Sequence, residues 1–151
     1  MTPTIISTLI GKSTKDPYKY IKKGWQDTKP YTTGYLMSAD NVYSICSGLV
    51  LDVGIDNKTK LYSVTIEYEY LTWIRYCMLQ TCNVKFGEEV SIGTKLGKAY
   101  KGTMRFEYCT NTVSDFPVRL GGRCLYKNDP LVILEGDLEL PDKTDEGTDN
   151  G

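Results

Sequence analysis

The ten residues Lys101–Thr110, KGTMRFEYCT, set Met104, Phe106 and Tyr108 against Thr103, Arg105, Glu107 and Cys109. Alternation of period two marks a strand with one face on a core. The second row is polar and is expected to face outward. Working away from this strand, NVYSI (41–45), SGLVLDVG (47–54), KLYSVTIEYEY (60–70) and TWIRYCML (72–79) share its β-branched and aromatic enrichment. In 60–70, Val64, Ile66, Tyr68 and Tyr70 predict a buried face, and Ser63, Thr65, Glu67 and Glu69 a wet one. GIDNKTK (54–60) supplies the turn residues of a hairpin loop. In VKFGEEVSIGTKLGKA (84–99), Gly87, Gly93 and Gly97 sit between short apolar pairs, which predicts tight turns and close backbone approach. The reading is a mostly β domain.

A chain of 151 residues suits one domain with a true core. No apolar run nears the length of a membrane span, and MTPTIISTLIGK lacks the parts of a signal peptide. Five cysteines without a tight CxxC pair read as reduced core thiols. Charge is divided along the chain. Glu135–Gly151 carries seven acids against one lysine, which leaves twelve acids against seventeen bases before it. Residues 1–30 combine Lys12, Lys15, Lys19, Lys22 and Lys23 with Tyr18, Tyr20 and Trp25, and break at Pro3, Pro17 and Pro30. They are expected to form an irregular lead-in with a short helical turn near DPYKYIKKGW (16–25). The expected organisation is lead-in 1–30, β domain 31–140 and disordered acidic tail 141–151.

Four segments, in order, resemble the scaffold of the LytM/lysostaphin-type M23 zinc metallopeptidases, which cut peptide cross-bridges in peptidoglycan. VYSICSGLVLDVG (Val42–Gly54) is similar to the family's VYAAxxGxVxxxG, and YCML (Tyr76–Leu79) to its YAHL. VKFGEEVSIGTKLG (Val84–Gly97) follows VxxGxxVxxGxxIG, and GTMRFEY (Gly102–Tyr108) follows GxHLHFEV. The resemblance implies an antiparallel β-sheet or sandwich. It also implies where a zinc site belongs, and there this chain departs from the family. HxGxD falls on TTGYL, so the ligand positions are Thr32 and Leu36 around Gly34. The histidine of YAHL becomes Met78, and those of HLH become Thr103 and Arg105; the chain has no histidine at all.

Hydrolytic zinc sites need three imidazole, carboxylate or thiolate donors and an open position for water. Leucine has no lone pair to give, a threonine hydroxyl is a weak neutral donor, and a guanidinium repels a divalent cation. A substitute built from Cys77, Cys82 and Cys109 lacks paired spacing. The expectation is therefore no catalytic residue, no metal and no cofactor.

Other chemistry is thin. Glu67 with Glu69, and Glu88 with Glu89, read as strand and turn polarity instead of an acid–base pair. A cysteine nucleophile has no histidine base. RLGGR (Arg119–Arg123) reads as a turn, and no nucleic-acid-binding motif is present. Twelve tyrosines and two tryptophans provide rigid amphipathic surface for carbohydrate or protein contact. On the resemblance, Tyr31, Tyr35, Trp73 and Tyr76 gather with Arg105 near the former groove as the expected ligand-binding set.

The resemblance implies a catalytically inactive M23-like domain serving as a structural or assembly module. Such domains also occur at the tips of bacteriophage tails, so the expected place is a virion, among other tail proteins, and otherwise the cytoplasm. The alternative is a non-catalytic peptidoglycan-binding module. A third reading is an active cell-wall endopeptidase with an unusual site.

Overall fold

The computed structural model describes residues 4–135, so the tail expected at 141–151 lies outside the described residues. A short helix α1 (Ile5–Ile10) and a 3-10 turn (Pro17–Tyr20) lead into β1 (Ile21–Trp25), β2 (Gly34–Ser38), β3 (Asn41–Tyr43) and β4 (Gly48–Ile55). Next come β5 (Tyr62–Glu69), β6 (Thr72–Leu79), β7 (Glu89–Val90) and β8 (Lys95–Lys98). The chain continues through β9 (Thr103–Thr110), β10 (Pro117–Leu120) and β11 (Arg123–Asn128) to the helical turn α2 (Leu131–Leu134). The main sheet runs β1-β2-β9-β6-β5-β4-β7, with the β10–β11 hairpin joined to β9 through β11; β3 and β8 form a separate pair. All these pairings are antiparallel.

The strand that opened the sequence analysis is central. β9 lies between β2 and β6, with Phe106 opposite both Tyr35 and Tyr76. Its apolar row enters the main core, where Met104 and Phe106 are fully buried beside Ile66, Ile74 and Tyr76. The Tyr76 and Phe106 rings meet edge to face at 6.0 Å, and the Tyr76 hydroxyl accepts the Ile45 N–H at 3.0 Å. The expected β4–β5 loop forms because the Asp56 carboxylate accepts the N–H groups of Lys58 (2.9 Å) and Thr59 (2.8 Å). Close backbone approach in 84–99 is real at Gly97, where a Cβ would run into the Thr81 carbonyl oxygen.

Three expectations need correction. Within the expected lead-in 1–30, the described residues 4–30 hold regular elements instead of an irregular run. Thr4 and Ser7 form a capping box on α1, Gly11 closes it in the left-handed conformation, and Ile6, Leu9 and Ile10 enter the main core. Six residues do not hold a helix alone, so burial beside the Ile133 and Leu134 of α2 stabilises it. The helical turn at 16–25 is present but ends at Tyr20, where the chain becomes β1. The exposed middle of that strand, Lys22 to Gly24, hides any period-two signal.

The polar row of β9 does not face water either. Glu107 and Cys109 are fully buried, as is Trp73 across the strand pair. The β10–β11 hairpin folds over this side, and Val118 and Leu125 close a second small core on Trp73 and Cys109. The wet row expected on β5 is likewise mixed: Thr65 is buried, while Tyr70, assigned to the core face, lies past the strand end and is exposed.

Candidate functional site

The sheet face opposite the main core carries a line of side chains set by register. Leu36 on β2 pairs with Arg105 on β9, which pairs with Cys77 on β6. One step along that face, Arg75 pairs with Glu107. Both carboxylate oxygens of the buried Glu107 are taken. Arg75 Nη1 donates to Oε1 at 2.8 Å, Arg105 Nε donates to Oε2 at 2.9 Å, and Lys127 Nζ approaches Oε2 at 3.2 Å. Lys127 also donates to Asp27 Oδ2 at 2.9 Å. A fully buried carboxylate demands such compensation.

β1 closes over the same face. The Arg105 guanidinium lies over the Trp25 ring at 4.8 Å, and Lys22 Nζ donates to Thr103 Oγ1 at 2.9 Å. Gly34 leaves the room this needs: a Cβ there would come within 3.1 Å of the Phe106 carbonyl oxygen and 3.3 Å of the Glu107 side chain. Burial raises the Asp27 carboxyl, but hydrogen bonds from Lys127 and Thr33 outweigh it and hold the group below the usual range. Burial pushes the Cys77 thiol up, and pushes Cys109 up to about 12, so both are neutral thiols.

Neither a protein-family model nor a curated protein sequence matches the chain. Solved structures do. The antimicrobial peptidase lysostaphin from Staphylococcus simulans aligns over 78% of this chain and 50% of its own, at 21% identity and a TM-score of 0.58. Its catalytic domain alone aligns over 76% of this chain and 88% of its own, at 20% identity and a TM-score of 0.54. LytU aligns over 80% and 90%, at 17% identity and a TM-score of 0.53. This chain has the fold of the lysostaphin-type M23 peptidase domains. It spans about half the length of whole lysostaphin.

A zinc ion implied by that fold does not fit the residues present. At the expected ligand positions Leu36 offers hydrocarbon and Arg105 offers a cation already bound to Glu107. Thr103 already accepts from Lys22. Met78 sits at φ 68°, in a bulge where Cys77 and Met78 oppose Ser63 alone. Glu107 and Cys77 stand beside Arg105 and are donors of suitable type, but the first is saturated by cations and the second is a buried thiol. Among the described residues no group of three or more cysteine, aspartate or glutamate side chains is arranged to hold a metal.

The expected ligand-binding set does not assemble. Trp73 belongs to the second small core and Tyr76 to the main core, both fully buried. Tyr35 packs on the main core, and burial with the negative charge of Asp129 nearby lifts its hydroxyl to about 12. Arg105 is held in the charge cluster. Tyr31 alone of the five is well exposed, at 57%, and its ring meets Phe116 at 6.3 Å beside a cavity of about 580 Å³ that Thr32 also lines. Sequence reasoning missed Phe116, Asp27 and Lys127. Only long-range pairing brings them in, since Lys127 bonds a residue 100 positions away.

Proposed function

We propose that this chain is a zinc-less, catalytically inactive module on the M23 peptidase fold, working by binding as a structural or assembly component. One observation carries this reading: Arg105 stands opposite Leu36 with its Nε given to Glu107 and its face on Trp25. A hydrolase of this fold places a metal and an activated water there. A fixed guanidinium and a leucine activate no water. Elemental mass spectrometry of the purified protein, beside turbidity of purified cell walls with added zinc, tests it. Neither stoichiometric metal nor clearing is expected; both together refute the proposal. The particle we propose is a bacteriophage tail, where other tail proteins are the partners, on the strength of the family resemblance. Failure to find the chain in purified virions by mass spectrometry removes that placement.

A second reading, retention of peptidoglycan without cleavage, has its own observation. The exposed Tyr31 and the half-buried Phe116 wall a cavity also lined by Thr32, Asp115 and Asn128, so apolar faces and polar groups converge on one ligand-sized space. Retention on purified sacculi is expected to weaken in Tyr31→Ala. Equal retention of the variant, or none above an unrelated β domain, ends this reading.

A further inference from the structure

A second cavity, of about 640 Å³, shares only Asn128 and Asp129 with the Tyr31–Phe116 cavity. Its walls come from the β5–β6 turn, the end of β9 and the end of β11, which register brings together: Thr72 pairs with Thr110, and Asn128 with Tyr108. Tyr70, in that turn, is 73% exposed. The next residue, Leu71, takes φ 64°, a left-handed conformation that leucine rarely adopts. Strain of this kind persists where the surroundings impose it, and it gathers at ligand sites.

The lining is neutral and rich in hydrogen-bonding groups. Asn128 Nδ2 donates to Thr110 Oγ1 at 3.0 Å and to the Tyr126 carbonyl at 2.8 Å, which fixes the carboxamide and leaves Oδ1 as an acceptor. Among the described residues, Thr72, Asn111 and Thr112 have no side-chain hydrogen bond. Burial and the nearby Glu69 charge push the Tyr108 hydroxyl up, so it stays a neutral phenol. Among the described residues no lysine or arginine lines the cavity, and Asp129 is its one carboxylate. We infer that this cavity binds a neutral oligosaccharide, with Tyr70 as the platform for one sugar ring.

Charge and shape select that class. An anion finds no cation to hold it and meets Asp129 instead, with Glu69 lining the adjoining cavity that Tyr70 also walls. A sugar presents C–H faces that lie on an aromatic ring and hydroxyls that both donate and accept, which matches Tyr70 beside Thr72, Asn111 and Asn128. A peptide needs a free strand edge or pockets for its side chains. Here β6 lies between β5 and β9, and the end of β9 lies between β6 and β11, so neither strand offers an open edge. Sugar binding here does not depend on the retention reading, which rests on the Tyr31–Phe116 cavity.

Titration of the isotope-labelled full chain with the tetramers of N-acetylglucosamine and of glucose, followed by amide chemical shifts, tests the site. At least one tetramer should shift the amides of Thr72, Asn111 and Asn128 with a Kd of about 1 mM or tighter. Tyr70→Ala should weaken that binding about tenfold, the scale of losing one stacked ring, and Tyr70→Phe should stay within about twofold of the native chain. Phe86→Ala removes an equally exposed ring elsewhere, at 76%, and should bind as the native chain does. No shift with either tetramer at ~10 mM, or undiminished binding in Tyr70→Ala, overturns the inference. Loss of binding in Tyr31→Ala with retention in Tyr70→Ala also overturns it, by placing the sugar in the other cavity. Shifts produced by a neutral glycine–alanine tetrapeptide and by neither sugar overturn it in favour of a peptide ligand.

Discussion

Replacing Glu107 by glutamine keeps its size and removes the charge that Arg75, Arg105 and Lys127 converge on. The Glu107 side chain is fully buried, and its three partners are only 16, 23 and 14% exposed. Removing one member of a buried ion cluster typically costs about 3–5 kcal/mol, because the remaining charges stay desolvated without compensation. All three partners keep something: Lys127 retains Asp27 at 2.9 Å, Arg75 retains the Thr65 hydroxyl at 3.2 Å, and Arg105 retains the Trp25 face. The lower end, about 3 kcal/mol, is therefore expected. In a chain of this length that lowers the melting temperature by about 6–12 °C. Urea unfolding at neutral pH, followed by tryptophan fluorescence, measures it. Arg123→Gln is the control, because the Arg123–Glu67 pair is 42 and 19% exposed and sits in the class contributing about 1 kcal/mol or less. A loss below about 1 kcal/mol in Glu107→Gln, matching the control, would mean that water reaches the cluster and that Glu107 does not organise it.

Three further outcomes follow from burial. Tyr76→Phe leaves the Ile45 N–H buried without its acceptor and should cost about 1–3 kcal/mol in the same urea titration. At pH 8 a chromogenic disulfide reagent should reach Cys82 and Cys124 first, while Cys46, Cys77 and Cys109 wait for unfolding; rapid reaction of all five thiols contradicts the packing. Burial lifts Cys109 from 9.0 to about 12, so its contribution is intact below pH 9, where the unfolded thiol is neutral, and fades as pH climbs toward 12. Stability should fall between pH 9 and 12 by up to about 1.4 kcal/mol per pH unit from this group, and Cys109→Ala should flatten the slope. An unchanged slope in the variant assigns the alkaline loss elsewhere.

The sequence carried the main core well because β5, β6 and β9 each place apolar residues at period two on that side. Asp56 announced its turn by side-chain chemistry, and Gly97 its close contact by having no side chain. The opposite face was not legible for a physical reason. Alternation reports exposure only when one side of a sheet is wet, and here the β10–β11 hairpin and β1 cover the second side. Trp73 and Tyr76 therefore looked like surface aromatics although they point into two different cores. The charge cluster was equally hidden. Arg75, Glu107 and Lys127 come from β6, β9 and β11, and nothing local in any one strand says which charges will meet.

The same cluster that leaves no place for zinc fixes the loops bearing Tyr31 and Phe116. A divalent cation ~5 Å from a guanidinium meets a repulsion of about 7 kcal/mol even at an effective dielectric constant of 20, so metal and Arg105 exclude each other. Asp27 ties the β1–β2 loop to β11 by accepting from Lys127 and from the Thr33 hydroxyl at 2.8 Å. The Lys127 backbone N–H donates to the Phe116 carbonyl at 2.9 Å, which holds the facing loop. Asp27 does not line the cavity between those loops, yet it sets their spacing. On the proposed peptidoglycan-retention reading, Asp27→Ala should therefore lower retention on sacculi as Tyr31→Ala does, and the double variant should lose little beyond the worse single one. Additive losses in that cycle would show the loop tie and the aromatic wall acting independently, and would separate the charge cluster from binding.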